Sequence, residues 1–321
     1  MVPAIKHMYN NVIACSALLK KKLHQRYLSL RLDINNRCNL RCKYCYTLSH
    51  ENEPFKIMSI DEFKKIADEL FPQSHNVYLS CAWEPLVNKH FAEYIRLAAG
   101  YNLPSLNFIT NGVLLNDEII MASVQAPVHQ IDVSIDAAHR DTYKEICGED
   151  CFDRVIANLR RIHELKKQNH SIYPRVGIIF TVFEQNASEA PLFIKQFSGL
   201  CDHIQVNHLL LKARNECNPY TRLSEVDFSN MVIQCELAAG GNQIARDYSI
   251  NMKPRRTLLC RTGIQYILIC SNGKVCVCNG KAIGNVFSNS FEEIVHDNKR
   301  LLRTLCFGKD DYCQKECDMG I

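Results

Sequence analysis

The sequence predicts an α/β protein with a parallel sheet, followed by a smaller α+β unit, and three observations lead there. From residue 28 to about 211, apolar runs of strand length alternate with amphipathic segments of helix length, giving six β-then-α repeats. Strands separated by helices in this way are buried on both faces, the condition for parallel pairing. Beyond about residue 215 the alternation stops, and a helix, a hairpin signal and a second helix follow. The third observation is a loop with three cysteines directly after the first strand, at the sheet end where α/β barrels carry their chemistry. Six repeats are too few to close an eight-fold barrel.

Residues 1–27 read as a short helical extension with Val12, Ile13, Leu18, Leu19 and Leu23 apolar, too short for a peptide-recognition domain. Residues 28–34 alternate at period two and form the first strand. Ser59 with Glu62 is a capping box that opens a helix to about Phe71. Strands are expected at 76–81, 105–110, 130–135, 175–183 and 203–211, with helices at 90–99, 117–124, 152–167 and 188–197. Asn111-Gly112 closes the third strand. After the sixth strand, residues 223–239 are helical up to Gly240-Gly241, and 266–277 form a hairpin turning on Ser271-Asn272-Gly273. A last helix spans 291–305. The chain thus divides into an extension (1–27), a barrel-like domain (28–215) and a C-terminal unit (216–321), with no internal repeat or low-complexity segment.

Composition excludes several classes. Hydrophobic residues at 47% and charged residues at 22% are those of an ordinary soluble protein. The net charge of +4 is mild, and Lys20-Lys21-Lys22 is too short a run to argue for nucleic acid, which a clustered basic and aromatic face would need. No apolar stretch reaches membrane-spanning length, and the N-terminus lacks the pattern of a signal peptide. Seventeen cysteines without an export signal read as metal or cluster ligands and buried thiols in a reducing cytoplasm, not as a disulfide framework. Cys15, Cys147, Cys151, Cys201, Cys217 and Cys235 stand alone and read as small core residues.

Cys38, Cys42 and Cys45 are spaced C-x3-C-x2-C. Thiolates select zinc, Cu(I) or iron–sulfur clusters. Three local ligands without a nearby fourth Cys or His leave a tetrahedral structural zinc unfilled, whereas a 4Fe-4S cube on three cysteines keeps one iron open. A structural zinc loop or unrelated buried thiols are the plainer readings. The stretch resembles the hallmark of the radical S-adenosylmethionine (SAM) enzymes, C-x3-C-x-aromatic-C after the first barrel strand, with Tyr44 in the aromatic slot. That resemblance implies an open (β/α)6 partial TIM barrel, a catalytic 4Fe-4S cluster on Cys38, Cys42 and Cys45, and SAM on the open iron. The reduced cluster would pass one electron to the sulfonium, giving methionine and a 5′-deoxyadenosyl radical that abstracts a substrate hydrogen atom.

Further marks carry the same resemblance. Cys81-Ala82-Trp83-Glu84-Pro85-Leu86 stands where the family has Gly-Gly-Glu-Pro, implying that Glu84 receives the methionyl ammonium, although Ala82 and Trp83 replace both glycines. Asn111 either reaches SAM or closes its turn. Asp132-Val133-Ser134-Ile135-Asp136 resembles the ribose-binding strand, with Ser134 on the ribose and Asp136 either orienting substrate or capping the next helix. Gly177-Ile178-Ile179-Phe180-Thr181 partly matches an adenine platform, with Thr181 in place of its second glycine, and Tyr44 is expected at the adenine through its backbone.

Cys260 to Cys278, spaced C-x12-G-x4-C on Gly273, resembles the opening of SPASM and twitch extensions, and Cys313-x3-Cys317 resembles the end of the SPASM pattern. The implied ligand set is one auxiliary 4Fe-4S cluster on Cys260, Cys278, Cys313 and Cys317, with Cys270, Cys276 and Cys306 as rivals for one place and a four-cysteine zinc as the alternative. Asn279 stands where sulfatase-maturing relatives carry an Asp base, which disfavours that activity. The reading reached is a radical SAM oxidoreductase that modifies a peptide, with oxidation of a sugar or aminocyclitol hydroxyl as runner-up. The expected partners are a peptide or small-molecule substrate and an electron donor such as flavodoxin or ferredoxin. A non-catalytic iron–sulfur or zinc binding protein is the competing class.

Overall fold

The computed structural model of the chain describes residues 26–45, 47–48, 52–80, 82–126, 128–209, 219–239, 249–250, 266–277, 281–299 and 301–302. The strands are β1 (Leu28–Leu32), β2 (Ser74–Tyr78), β3 (Leu106–Thr110), β4 (Gln130–Ser134), β5 (Arg175–Val182), β6 (His203–His208), β7 (Ser249–Ile250), β8 (Tyr266–Ile269), β9 (Lys274–Val277) and β10 (Lys281–Asn285). The helices are α1 (Ile60–Leu70), α2 (Phe91–Ala99), α3 (Asp117–Gln125), α4 (Arg140–Cys147), α5 (Phe152–Gln168), α6 (Ala190–Phe197), α7 (Glu225–Ala239) and α8 (Phe291–Asp297).

Among the described residues the strands form one sheet in the order β10-β9-β8-β1-β2-β3-β4-β5-β6-β7. Pairing is parallel from β8 through β1 to β7, and antiparallel only in the β8–β9–β10 meander. The sheet is open, with β7 and β10 at its edges, as the count of six repeats requires.

Period-two alternation gives the sheet one apolar and one polar face. The apolar face carries Leu28, Leu30, Leu32, Val77, Phe108, Ile131, Val133, Ile178 and Phe180, all buried. Helices pack on it, with Phe91 of α2 edge-on to Phe108 of β3 and Phe193 of α6 against Phe180 of β5. The other face carries a polar row that crosses the strands. Asn76 donates to Ser29 Oγ at 3.2 Å, Asn107 to Asn76 Oδ1 at 2.8 Å, and Gln130 to Asp132 Oδ1 at 2.7 Å. Such a row has no place in a core packed on both sides, and it marks the inner face of a partial barrel.

The predicted capping box is present: Ser59 Oγ accepts from the Glu62 N–H at 3.2 Å, and Glu62 accepts from the Ser59 N–H at 2.7 Å. The hairpin turns where expected, with Gly273 at φ +80°, where a Cβ would also meet Phe287 at 2.5 Å. Its first strand adds parallel to β1, so the C-terminal segment extends the same sheet. Helix α4 is not anticipated by the sequence reading, because its polar stretch has a buried face of only Tyr143, Ile146 and Cys147. Strands β7 and β10 were not anticipated either; the first has two residues and the second, KAIGN, has no apolar run. Residues 1–25 of the expected extension over 1–27, and the tail beyond 302, lie outside the described residues.

Candidate functional site

The loop after β1 is held by polar residues of the strand end. Asn35 Oδ1 accepts from the Arg37 N–H at 2.8 Å, while its Nδ2 donates to the Glu84 carbonyl at 3.0 Å. Asp33 Oδ1 accepts from the Ala82 N–H at 3.0 Å. The β1 and β2 loops are thereby tied together, and Asp33 and Asn35 are residues that motif reading passed over. Buried short polar side chains at the end of an apolar strand were the signal available.

Cys38, Cys42 and Cys45 share this loop, and the sulfurs of Cys38 and Cys45 have hydrogen-bonding neighbours. The Leu40 N–H donates to Cys38 Sγ at 3.4 Å, and Asn111 Nδ2 lies 3.7 Å from the same sulfur. Cys45 Sγ lies 3.0 Å from the Thr47 hydroxyl, while the neighbouring Cys147 thiol and burial push the Cys42 thiol up. Burial pushes the Cys38 thiol up to about 12, and the charges of Glu84, Cys42 and Cys45 add to it. Among the described residues no three His, Cys, Asp or Glu side chains meet at metal-ligand spacing. The donor set nevertheless fits an iron–sulfur cluster by its chemistry. Three soft sulfurs lie on one short loop, with an N–H beside Cys38 and a hydroxyl beside Cys45 that anionic sulfur can accept from. A cavity of about 190 Å³ opens beside Cys38 between Arg37, Arg41 and Trp83. Trp83 therefore lines a cavity at the cysteine loop instead of filling core.

Glu84 is 3% exposed and ties three segments. Its carboxylate accepts from Thr110 Oγ1 at 2.7 Å, the Asn111 N–H at 2.7 Å and the Leu86 N–H at 3.1 Å. Burial pushes it up to about 7 against the pull of those donors. For an acid whose pKa is raised by folding, the folded chain binds the proton more tightly than the unfolded chain. Stability therefore falls as pH rises from the ordinary carboxyl range to about 7, and is level above it. The protein without SAM is accordingly expected to melt at a lower temperature at pH 8 than at pH 5.5. Glu84→Gln is expected to reduce that difference, as thermal denaturation at the two pH values would measure.

Asn111 plays the second of its two expected parts, closing the turn. Its Oδ1 closes the turn by accepting from the Val113 N–H at 3.0 Å, while Nδ2 donates to Asn39 Oδ1 at 2.9 Å beside Cys38. Ser134 ends β4 on the same face as Asp132 and Asp136. Asp136 accepts from the Tyr44 hydroxyl at 2.5 Å and the Thr181 N–H at 2.6 Å, and burial pushes its carboxyl up to about 6. Tyr44 thus meets β4 through its side chain, with its ring tilted against Phe183. Gly177 sits lower on β5, opposite Asp132 and His203. A Cβ there would lie 2.0 Å from Asp132 Oδ1 and 2.5 Å from His203 Cε1, so the close approach of those two groups accounts for the glycine.

The second cysteine set is reached only in part. Cys260, Cys278, Cys306, Cys313 and Cys317 lie outside the described residues. Cys270 and Cys276 flank the hairpin turn, and the neighbouring Cys276 thiol together with burial pushes the Cys270 thiol up.

The family model described as Radical SAM superfamily matches residues 32–195, just over half of the 321 residues, from the end of β1 into α6. The chain belongs to the radical SAM superfamily. It is accordingly an enzyme of a family whose cofactors are a 4Fe-4S cluster and SAM. Similar radical SAM folds include Streptococcus suis SuiB, solved with S-adenosylmethionine (TM-score 0.71, 13% identity, 95% of this chain and 79% of that chain). SuiB solved with its precursor peptide SuiA gives a TM-score of 0.70 at 14% identity, over 95% of this chain and 78% of that chain. In sequence, the chain is 24% identical over 284 residues to the tungsten-containing aldehyde ferredoxin oxidoreductase cofactor-modifying protein of Pyrococcus furiosus, covering 87% of this chain and 77% of the relative. It is 28% identical over 136 residues to the GTP 3′,8-cyclase of Synechocystis, covering 42% of this chain and 41% of the relative. The chain spans only about half the length of the cyclases it matches. No helix among the described residues is long and apolar enough to cross a membrane.

Proposed function

We propose that the protein reductively cleaves SAM at a 4Fe-4S cluster held by Cys38, Cys42 and Cys45, and abstracts a hydrogen atom from a peptide for its oxidative modification. The observation that carries this reading is the gathering, at the C-terminal ends of β1 to β4, of three thiols, the buried Glu84 and the Ser134–Asp136 strand end. When bound, the cluster supplies the electron that splits the sulfonium and so yields a 5′-deoxyadenosyl radical. The chain's part is to hold and orient. Glu84, its position fixed by Thr110, Asn111 and Leu86, offers a buried anion to the methionyl ammonium. Ser134 offers its hydroxyl to the ribose, while Asp136 and Tyr44 lock the cysteine loop to β4. The β5 residues beyond Gly177 form the adenine side, with Gly177 itself as the position that Gly177→Ala tests.

In this reading residues 216–321 form a SPASM- or twitch-like unit with one auxiliary 4Fe-4S cluster on Cys260, Cys278, Cys313 and Cys317. A peptide substrate is supported by the SuiA-bound SuiB structure, whose fold this chain follows along most of its length. Flavodoxin or ferredoxin is the electron donor and the cytoplasm the site of action.

The test is anaerobic reconstitution with iron and sulfide, an iron count, and a 5′-deoxyadenosine assay after reduction and addition of SAM. About eight irons per chain, two clusters' worth, with SAM cleavage is the expected result. About four irons with cleavage overturns the auxiliary cluster. No cleavage from an iron-replete protein overturns the enzymatic reading itself.

A further inference from the structure

Alternation along β1 puts Leu28, Leu30 and Leu32 on the apolar face, and Ser29 and Arg31 on the inner face of the partial barrel. Arg31 pairs in register with Tyr78 of β2, and Ser29 with Asn76. Other positions of this face satisfy one another. Asn107 donates to Asn76 and Asn76 to Ser29, while Asp132 accepts from Gln130 and lies 3.5 Å from His203 Nε2. Arg31 and Tyr78 stand outside that network. The guanidinium lies over the Tyr78 ring, its carbon 5.0 Å from the ring centroid, and both residues are half-buried. Among the described residues, neither the guanidinium nor the Tyr78 hydroxyl enters an ion pair or a side-chain hydrogen bond.

We propose that Arg31 and Tyr78 form an oxyanion-binding pair that receives a carboxylate of the substrate. Arg31 precedes Asp33 by two residues, about 7 Å of strand, and the Asp33 carboxylate ties together the β1 and β2 loops of the candidate site. The pair therefore faces the bore just below the cysteine loop. A half-buried cation has lost part of its hydration, and a ring face replaces only part of that loss. The contact with Tyr78 holds the guanidinium ready for an anion that brings the missing charge. Its planar fork of N–H donors matches a two-oxygen anion, and the tyrosine hydroxyl adds one donor more. The Asp132 carboxylate on the same face is already held by Gln130. The inner positions of β1 to β4 hold no second lysine or arginine, so the pair suits a single carboxylate better than a polyphosphate. The inference rests on the proposed peptide substrate for the source of that carboxylate, an acidic side chain or a C-terminus; phosphate is the other group with the same chemistry.

The test is ligand-observed NMR on the full chain, reconstituted with iron and sulfide and given SAM, with three probes: the α-amide of N-acetylglutamate, its neutral glutamine counterpart, and inorganic phosphate. Wild type is expected to bind the glutamate probe at least 10-fold more tightly than the glutamine probe. Arg31→Gln is expected to lose about 10-fold or more of that affinity, the worth of a charge-assisted hydrogen bond. Arg31→Lys, which keeps the charge without the fork, should fall between the two. Equal affinity of wild type and Arg31→Gln for the glutamate probe overturns the inference, as does equal affinity of wild type for both amino-acid probes. Should Arg31→Gln fail to fold, Tyr78→Phe and Arg31→Lys take its place, and wild-type affinity in both overturns it likewise. Phosphate binding that Arg31→Gln removes, without binding of the glutamate probe, overturns the carboxylate and the peptide reading with it. No binding of any probe to wild type overturns the inference alone, since peptide modification is read by its own assay.

Discussion

Alanine at Cys38, Cys42 or Cys45 is expected to abolish 5′-deoxyadenosine formation while leaving the folded chain nearly as stable as wild type. The two halves of this expectation have separate causes. A site-differentiated cluster has three protein ligands and no spare, so removing one removes the cluster, where loss of a mere supporting group would cost about 10- to 100-fold. The fold, by contrast, draws on these thiols very little. All three are partly exposed, on a loop held by Asn35, by Asp33 through the Ala82 N–H, and by the backbone bonds to residues 146 and 147. Loss of a partly exposed thiol is worth on the order of 1 kcal/mol. Iron content, SAM cleavage and the thermal midpoint of the iron-free form measure the three quantities. A variant that keeps full iron and cleaves SAM would remove that cysteine from the ligand set. A variant that fails to fold would mean that the loop is structural, which is the zinc-loop alternative.

The sheet was legible because its signal is repeated. Each strand alternates apolar with polar residues, and each helix carries an apolar stripe, so six weak local signals agree on one topology. The hairpin was legible from Gly273, whose positive φ few other residues would accept. Helix α4 was not, since three buried residues in eight fall short of a periodic pattern. The helix matters all the same, because its C-terminal turn receives the cysteine loop and brings Cys147 to Cys42. A cysteine that stands alone in sequence is indistinguishable from a core residue until the fold supplies its neighbour.

The site was legible where a motif is local and obscure where it is assembled. Cys38, Cys42 and Cys45 announce themselves by spacing. Glu84 announces itself by Glu-Pro-Leu, but the reason its carboxylate is held in place is Thr110 and Asn111 from another strand. Asn186 shows the same limit. It is fully buried, donates to the Asp136 and Thr181 carbonyls at 2.8 and 2.9 Å, and accepts from the Phe183 N–H at 2.8 Å, so it braces the β4–β5 edge of the site. Nothing in its neighbours along the chain marks it out.

Gly177→Ala separates two accounts of one residue. As part of an adenine platform, Gly177 would lie against SAM, and a methyl group there would weaken SAM binding while leaving the free protein unharmed. The register points to a different cost. Gly177 pairs with Asp132 on one side and His203 on the other, and its missing side chain is the space in which their side chains meet, with His203 Nε2 3.5 Å from Asp132 Oδ1. The added carbon would sit 2.0 Å from that oxygen and 2.5 to 2.6 Å from the imidazole ring. Neither group can step aside freely, because Asp132 is 4% exposed and held by Gln130, and the His203 ring is largely enclosed. Overpacking of this kind costs about 1–3 kcal/mol, and the upper end is expected here because two neighbours must move together. The loss should shrink in an Asp132→Ala background, where the nearest clash is gone, and a double-mutant cycle in urea reads that coupling directly. A stable Gly177→Ala protein with weakened SAM binding would return the residue to the adenine. A destabilised one whose penalty falls with Asp132→Ala would assign it to the polar row.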